Sequence, residues 1–485
     1  MSARRERLAP PRRGVATLLA IISAGALALR LLHLSAVVPY ELGHPSPSRM
    51  DRWLATQIAS AVADGDWAGG WAAPYDSSPA YSYFLAALYV LSGRNWLGPL
   101  VVQAVLGALV PLLLYETARR LLGWSAGVLA ALLAAAYAPA IFYEGLLVKF
   151  GLVPFVTASL LLACVCIQRR QAAPFAAGLA IGTLVLLRPN ATLAALVIVW
   201  WAAARDRWRA GLRRASWVAV GAALLLLPMA LRDRLASERG LESVLGGIHF
   251  YIGTSPSADG EYVVSPRIEP DVVGHVADAQ HIAEERSGRR LSRSEVSRFW
   301  FREGIRFVRE HPGRYAMLQV RKLWFAFEAG EMGSFGDDFA DFREMSGVLR
   351  LPLVMFGTIA PLGFLGAVVC LRRRETAILP LLAIAFLLSL LPFFVTARYR
   401  LPLAPVMIVL AAAGVGQLDA WRRTRRRARL AAAVVVLALA AIMLGASDAQ
   451  LVGFLATVGA GLSVVALGEP ACGAPASVLD VSQGA

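Results

Sequence analysis

Long apolar runs alternate with short clusters of arginine along this chain, and that alternation limits its fold more than any other feature. A bilayer core about 30 Å thick takes roughly 20 apolar residues in helix to cross, and within lipid only helices or closed barrels satisfy their own backbone groups. Runs of this kind fall near 14–37, 99–118, 123–142, 150–168, 173–187, 191–204, 215–232, 349–371, 376–395, 401–419, 428–446 and 450–468. The pattern predicts an all-α polytopic membrane protein with about 11–13 transmembrane helices, the last run being the weakest. Composition agrees, because 57% of residues are hydrophobic and 17% charged, against about 25% charged in an ordinary soluble domain. A conventional soluble enzyme is excluded.

The arginines orient the bundle. Residues 1–13 carry Arg4, Arg5, Arg7, Arg12 and Arg13 ahead of the first run, which is too long and too strongly flanked for a cleaved signal peptide and has no clear small-residue cleavage site. Threading the runs alternately puts Arg119 and Arg120, Arg169 and Arg170, the 205–214 cluster, Arg372 to Arg374 and the 422–429 cluster on the N-terminal side. The positive-inside rule makes that side cytoplasmic. The net charge of +15 then belongs to anionic lipid and topology, and nucleic acid is not a partner.

The expected organisation is a basic cytoplasmic N-terminus (1–13), a transmembrane core (14–232) with a first periplasmic loop (38–98), a periplasmic region (233–347), C-terminal transmembrane helices (348–468) and a small-residue tail (469–485) expected to be disordered. In the first loop, Met50, Trp53, Leu54, Ile58, Ala61 and Val62 recur at helical spacing, the pattern of a juxtamembrane helix. In the second, Ser292 to Glu295 reads as a capping box opening a helix that carries Val296, Phe299, Trp300 and Phe307 and stops at His311-Pro312. The stretch from His249 to Tyr262 reads as turn-rich and placed to cover the active site, with His249 packed rather than a ligand. Cys164, Cys166, Cys370 and Cys472 show no disulfide or zinc spacing.

Chemistry is expected on the outer face, where ionisable residues at the membrane boundary are costly to hold. Of 48 basic side chains only Lys149 and Lys322 are lysine, and both fall on that face. A compact ammonium binds phosphate as a point charge, although chance alone would put both on one face about one time in four. Arg188-Pro189-Asn190 joins two short spans, and Arg398-Tyr399-Arg400-Leu401-Pro402 opens another. Those arginines are suited to fork onto a phosphate, or equally to anchor helix ends.

Several of these segments resemble a known family. Asp51-Arg52-Trp53 through Gly65-Asp66-Trp67, Ser78-Pro79-Ala80-Tyr81 with Gly93, Gln103 with Tyr115 to Gly123, Leu187-Arg188-Pro189 and Arg398 to Pro405 are similar, in order and spacing, to membrane glycosyltransferases of the C-type fold. These are the bacterial relatives of protein O-mannosyltransferases and of the lipid A aminoarabinose transferase. The resemblance spans most of 14–420. It implies transfer of a sugar from a polyprenyl-phosphate donor to a hydroxyl of a lipid, glycan or protein on the periplasmic face, in building envelope glycans or glycosylating proteins.

Carried onto this chain, the resemblance makes Asp51 the catalytic base, since an acceptor hydroxyl must lose its proton as it attacks the anomeric carbon. Arg188, Arg398, Arg400, Lys149 and Lys322 become candidate donor-phosphate groups, stabilising charge on the leaving phosphate. Glu144, Tyr81 and Arg52 are candidates for positioning the acceptor or sugar. One carboxylate with direct displacement inverts the anomeric centre. The chain departs from its relatives in having Asp51-Arg52 where an acidic pair followed by tyrosine is common, and Lys149 where a second acidic residue is common. No cofactor is assigned and a divalent cation stays open, with Glu144 the stand-in for the missing carboxylate. The competing reading is a transporter or flippase of lipid-linked sugars, which should show midplane charges and repeats. A polymerase or ligase of pre-assembled glycans is a neighbouring enzyme class.

Overall fold

The computed structural model describes residues 12–43, 50–70, 78–168, 173–204, 208–238, 245–261, 272–328, 330–331 and 339–426, with residues 429, 437 and 445. Those residues form helices and no strand; the one β-type contact is an isolated bridge between Tyr137 and Val354. The runs 428–446 and 450–468 and the tail 469–485 lie essentially outside the described residues.

The apolar helices of the bundle are α1 (Arg12–Gly43), α4 (Leu97–Leu122), α5 (Trp124–Ala135), α7 (Val153–Gln168), α8 (Pro174–Leu187), α9 (Thr192–Ala204), α10 (Trp208–Glu238), α17 (Phe356–Leu371), α18 (Ile378–Leu390) and α19 (Ala404–Arg423). Among the described residues, five segments are long and apolar enough to cross a membrane by themselves (Gly14–Pro39, Leu97–Leu122, Lys149–Ile167, Trp208–Arg234 and Ala404–Arg423), and five shorter apolar helices pack among them. Lipid offers little hydrophobic drive between helices, so close packing has to hold them together. On α17 and α19, a methyl group at Gly366 would fall 1.8 Å from the Leu410 carbonyl oxygen, and one at Gly414 2.3 Å from that of Leu362. The same device joins α8 to α10 at Gly178 and Gly221.

Three expected features take a different form. The run 123–142 is not one helix but α5 and α6 (Ala138–Glu144), broken where Ala136 and Ala138 exchange backbone hydrogen bonds with Val354. Pro139, with no N–H to continue a helix, sits just after the break, in the first turn of α6. The run 349–371 begins with the short α16 (Gly347–Arg350) and an extended stretch, and becomes α17 only at Phe356. Within 38–98 an apolar helix, α3 (Pro79–Ser92), follows the expected α2 (Met50–Ala63), whose Leu54, Ile58 and Ala59 are buried. At 14 residues, α3 is shorter than a membrane span requires.

Between α10 and α17 stands a helical unit with its own core. It contains α11 (Leu245–Thr254), α12 (Val272–Ser287), α13 (Arg293–Glu310) and α14 (Pro312–Phe327), followed by α15 (Phe339–Met345). The capping box forms as expected, Ser292 accepting from the Glu295 N–H and Glu295 accepting from the Ser292 N–H. Val296, Trp300 and Phe307 are the buried face of α13, and His311 ends it. The first part of the 249–262 stretch is helix rather than turn. Leu245, Ile248 and Ile252 recur at helical spacing onto α13, and Gly247 lets the backbones meet, since a methyl there would fall 2.0 Å from the Ser297 carbonyl oxygen.

Candidate active site

Consecutive antiparallel helices α7 and α8 put the start of one and the end of the other at the same end of the bundle. Lys149 lies in the 3-10 turn Lys149–Gly151 ahead of α7, and Arg188 follows α8. Pro189 disfavours helix at the residue before it, so Arg188 is extended, at φ −145° and ψ 93°, and ends the helix. A third cation, Arg398, comes from the 3-10 turn Ala397–Arg400 that opens α19.

These three groups meet over one buried ring. Lys149 Nζ is 5.6 Å, the Arg188 guanidinium carbon 5.2 Å and that of Arg398 5.1 Å from the centroid of Phe150. Tyr399 forms a second wall, 4.0 Å from Arg188 and 5.9 Å from Arg398. Arg188 is 5% and Arg398 8% exposed. Arg188 meets the neutral Asn190 Oδ1 at 3.3 Å, and Asn190 in turn donates to Ser389 Oγ at 3.1 Å. Burial lowers the Arg188 pKa to about 10; the facing Tyr399 opposes that shift and the nearby Arg398 adds to it. Arg188 and Arg398 are near enough for their charges to interact, and cations gathered in a partly dry site can stabilise an anion.

A separate network holds the 143–152 segment that presents Lys149. Tyr81 donates to Gln103 Oε1 at 2.9 Å, and Gln103 Nε2 donates to the carbonyls of Glu144 (3.0 Å) and Leu146 (2.8 Å). Gly151 is required beneath it, because a methyl there would fall 2.9 Å from Gln103 Nε2. Glu144 is buried and ion-paired to Arg30 at 2.5 Å. Burial raises its carboxyl to about 7 against the opposing charge of Arg30. Tyr81 and Glu144, expected to position substrate, are thus engaged in holding the segment that carries Lys149.

Arg400 and Lys322 are not brought into the cluster. Arg400 donates to the carbonyls of Glu328 and Gly330, pairs with Glu331 Oε2 at 3.1 Å and lies 4.8 Å from the Phe356 ring. Lys322 is fully enclosed and donates to the Leu391 carbonyl at 2.7 Å; burial lowers its amine to about 7. Arg52 is buried on α2. Asp51 stands on the first turn of α2, and its side chain lies outside the described residues. Phe150 and Tyr399 were not singled out from sequence, although each directly follows a cation, Lys149 and Arg398.

Residues 76–231 match the sequence profile of the dolichyl-phosphate-mannose-protein mannosyltransferase family. Over that segment the resemblance read from the sequence holds. The matched segment contains Tyr81, Gln103, Glu144, Lys149 and Arg188, and stops short of Arg398. No curated protein matches the chain by sequence. Among solved structures the chain is similar to the Archaeoglobus fulgidus oligosaccharyltransferase in complex with Zn and sulfate, at 17% identity and a TM-score of 0.47 over 91% of this chain and 53% of that one. It is similar to the same organism's AglB with an inhibitory peptide and a dolichol-phosphate, at 17% identity and a TM-score of 0.44 over 92% and 56%. It is also similar to ArnT from Cupriavidus metallidurans bound to undecaprenyl phosphate, at 16% identity and a TM-score of 0.47 over 94% and 77%. The chain therefore spans about half the length of the oligosaccharyltransferases it resembles.

Among the described residues, no three His, Cys, Asp or Glu side chains gather as a divalent cation would need. Glu144, the carboxylate expected to help hold one, faces Arg30 instead.

Proposed function

We propose that the chain is a membrane glycosyltransferase that moves a sugar from a polyprenyl-phosphate donor to a hydroxyl of a lipid, glycan or protein. The observation that carries this reading is the convergence of Lys149, Arg188 and Arg398 on Phe150 at one end of an apolar bundle. A phosphate whose polyprenyl tail lies in lipid reaches that end without leaving the membrane. The family match over 76–231 supports the same chemistry.

In the reaction, the acceptor oxygen attacks the anomeric carbon and the bond from that carbon to the donor phosphate breaks. The electron pair leaves with the phosphate, where the three cations stabilise the added charge. Asp51 takes the hydroxyl proton as the new bond forms. Direct attack from the face opposite the phosphate inverts the anomeric centre.

The cluster end is the periplasmic end in this reading. Arg119 and Arg120, together with the 372–374 and 422–426 arginines, fall at the other end and face the cytoplasm of a bacterial inner membrane. Residues 233–347 are then the periplasmic region and 348–468 the C-terminal membrane helices.

Purified protein in liposomes, supplied with a polyprenyl-phosphate sugar and a hydroxyl acceptor, tests the assignment. Asp51→Asn should abolish transfer and leave donor binding near the original value. Full turnover by that variant would remove Asp51 from the role of base, and absence of transfer by the unaltered chain across lipid, glycan and peptide acceptors would overturn the function.

A further inference from the structure

Tyr399 lies where three packed regions meet. Its ring packs against the main bundle core, against the core of the α11–α13 unit, and against the small cluster of Ala326, Leu390 and Val395. On one side it covers the Arg188 guanidinium at 4.0 Å. On another it lies 5.5 Å from Phe394 at an interplanar angle of 32°. Phe394 is 2% exposed, forms part of the core that contains Leu245, Ile248 and Trp300, and meets His249 edge-on at 5.9 Å. The backbone there is equally tight, because a methyl at Gly253 of α11 would fall 2.6 Å from the Phe393 carbonyl carbon.

Arg188 has a long side chain with many rotamers, and its value to a phosphate depends on the direction of its planar fork. An aromatic face packed against a guanidinium, as Tyr399 is at 4.0 Å, limits the directions its fork can take at little polar cost. We propose that Tyr399 is a positioning residue, holding the Arg188 fork toward the donor phosphate, and that Phe394 makes this placement depend on the docking of α11–α13. The inference rests on the reading of the Lys149, Arg188 and Arg398 cluster as the donor-phosphate site. Tyr399 itself performs no proton transfer here; its ring acts through Arg188.

The test is binding of undecaprenyl phosphate to the full chain in nanodiscs, with melting temperature recorded for every variant. Arg188→Ala is the benchmark: unchanged affinity would overturn the donor-site reading, and with it the premise of the proposal. With the benchmark weakened, Tyr399→Met, similar in volume but without a planar face, should weaken binding by about tenfold, while Tyr399→Phe stays within about twofold. The same Tyr399→Met change made in the Arg188→Ala background should add nothing, which a merely structural residue would not reproduce. Equal loss in both backgrounds, or an unchanged affinity in the single variant, overturns the positioning role. Phe394→Leu lies outside the three-cation cluster; it should weaken binding by a smaller factor with only a small fall in melting temperature, and full affinity would overturn the link to α11–α13. If Tyr399→Met melts early, Phe394→Leu and the Tyr399→Phe rescue still decide the question.

Discussion

Arg30 and Glu144, 114 residues apart in sequence, close a buried ion pair at 2.5 Å between α1 and the end of α6. The segment leaving α6 reaches Lys149 five residues later, so the pair fixes the direction from which one cation enters the cluster. Removing one partner of a buried pair leaves the other charge uncompensated, at a cost of about 3–5 kcal/mol. Arg30→Met should therefore lower stability by up to that order above about pH 7, where the carboxyl is ionised, read as a fall in melting temperature in detergent.

The same carboxyl gives a pH signature. Its folded pKa, about 7, stands above the ordinary 4.5, so the folded state holds a proton that the unfolded chain releases between those values. Its contribution is fully present below about pH 4.5 and is lost as pH rises through 7. Glu144→Gln should flatten that part of the stability profile, measured by thermal unfolding between pH 4.5 and 7.5 (roughly the window the shift defines).

Gly107 forms the notch that receives the Glu144 carboxylate, whose carbon and oxygens lie 2.3–2.4 Å from where a methyl would stand. Gly107→Ala should displace the carboxylate and cost about 1–3 kcal/mol by overpacking. Transfer should fall with it, because the 143–149 segment shifts; a melting temperature equal to that of the unaltered chain would contradict the notch.

Lys322 supplies the opposite sign. Burial lowers its amine from 10.5 to about 7, so between those values the unfolded chain binds a proton that the folded chain does not, and stability rises with pH across that window. Lys322→Met should remove this rise relative to the unaltered chain. It should also leave affinity for a polyprenyl phosphate unchanged, since the amine is held by Leu391 and enclosed.

Arg188→Ala and Arg398→Ala, made singly, should each weaken donor binding by about ten- to a hundredfold, the range for losing a charge-assisted contact. Arg400→Ala should act mainly on stability, because its partners are Glu331 and two carbonyls of the chain itself. Comparing the ratio of binding loss to melting loss across the three variants distinguishes the two roles.

Much of the fold was legible in the sequence because lipid imposes strong local rules. Apolar length sets a membrane helix, and the Ser292 to Glu295 box sets a helix start, both within a short stretch of chain. The apolar helix Pro79–Ser92 falls inside the expected loop 38–98, and the break at 136–138 has no local mark because its hydrogen-bond partner, Val354, lies more than 200 residues away. Candidate cations were also legible as types. Which of them converge depended on tertiary contacts: Arg188 and Arg398 share the Phe150 ring, whereas Arg400, two residues on, turns to a buried Glu331. Sequence determined that this chain crosses a membrane and carries cations at one boundary, because hydropathy and charge are properties of short segments. Tertiary structure alone decided that Lys149, Arg188 and Arg398 converge on Phe150 while Lys322 and Arg400 are held by other partners, because burial and partners belong to the packed chain.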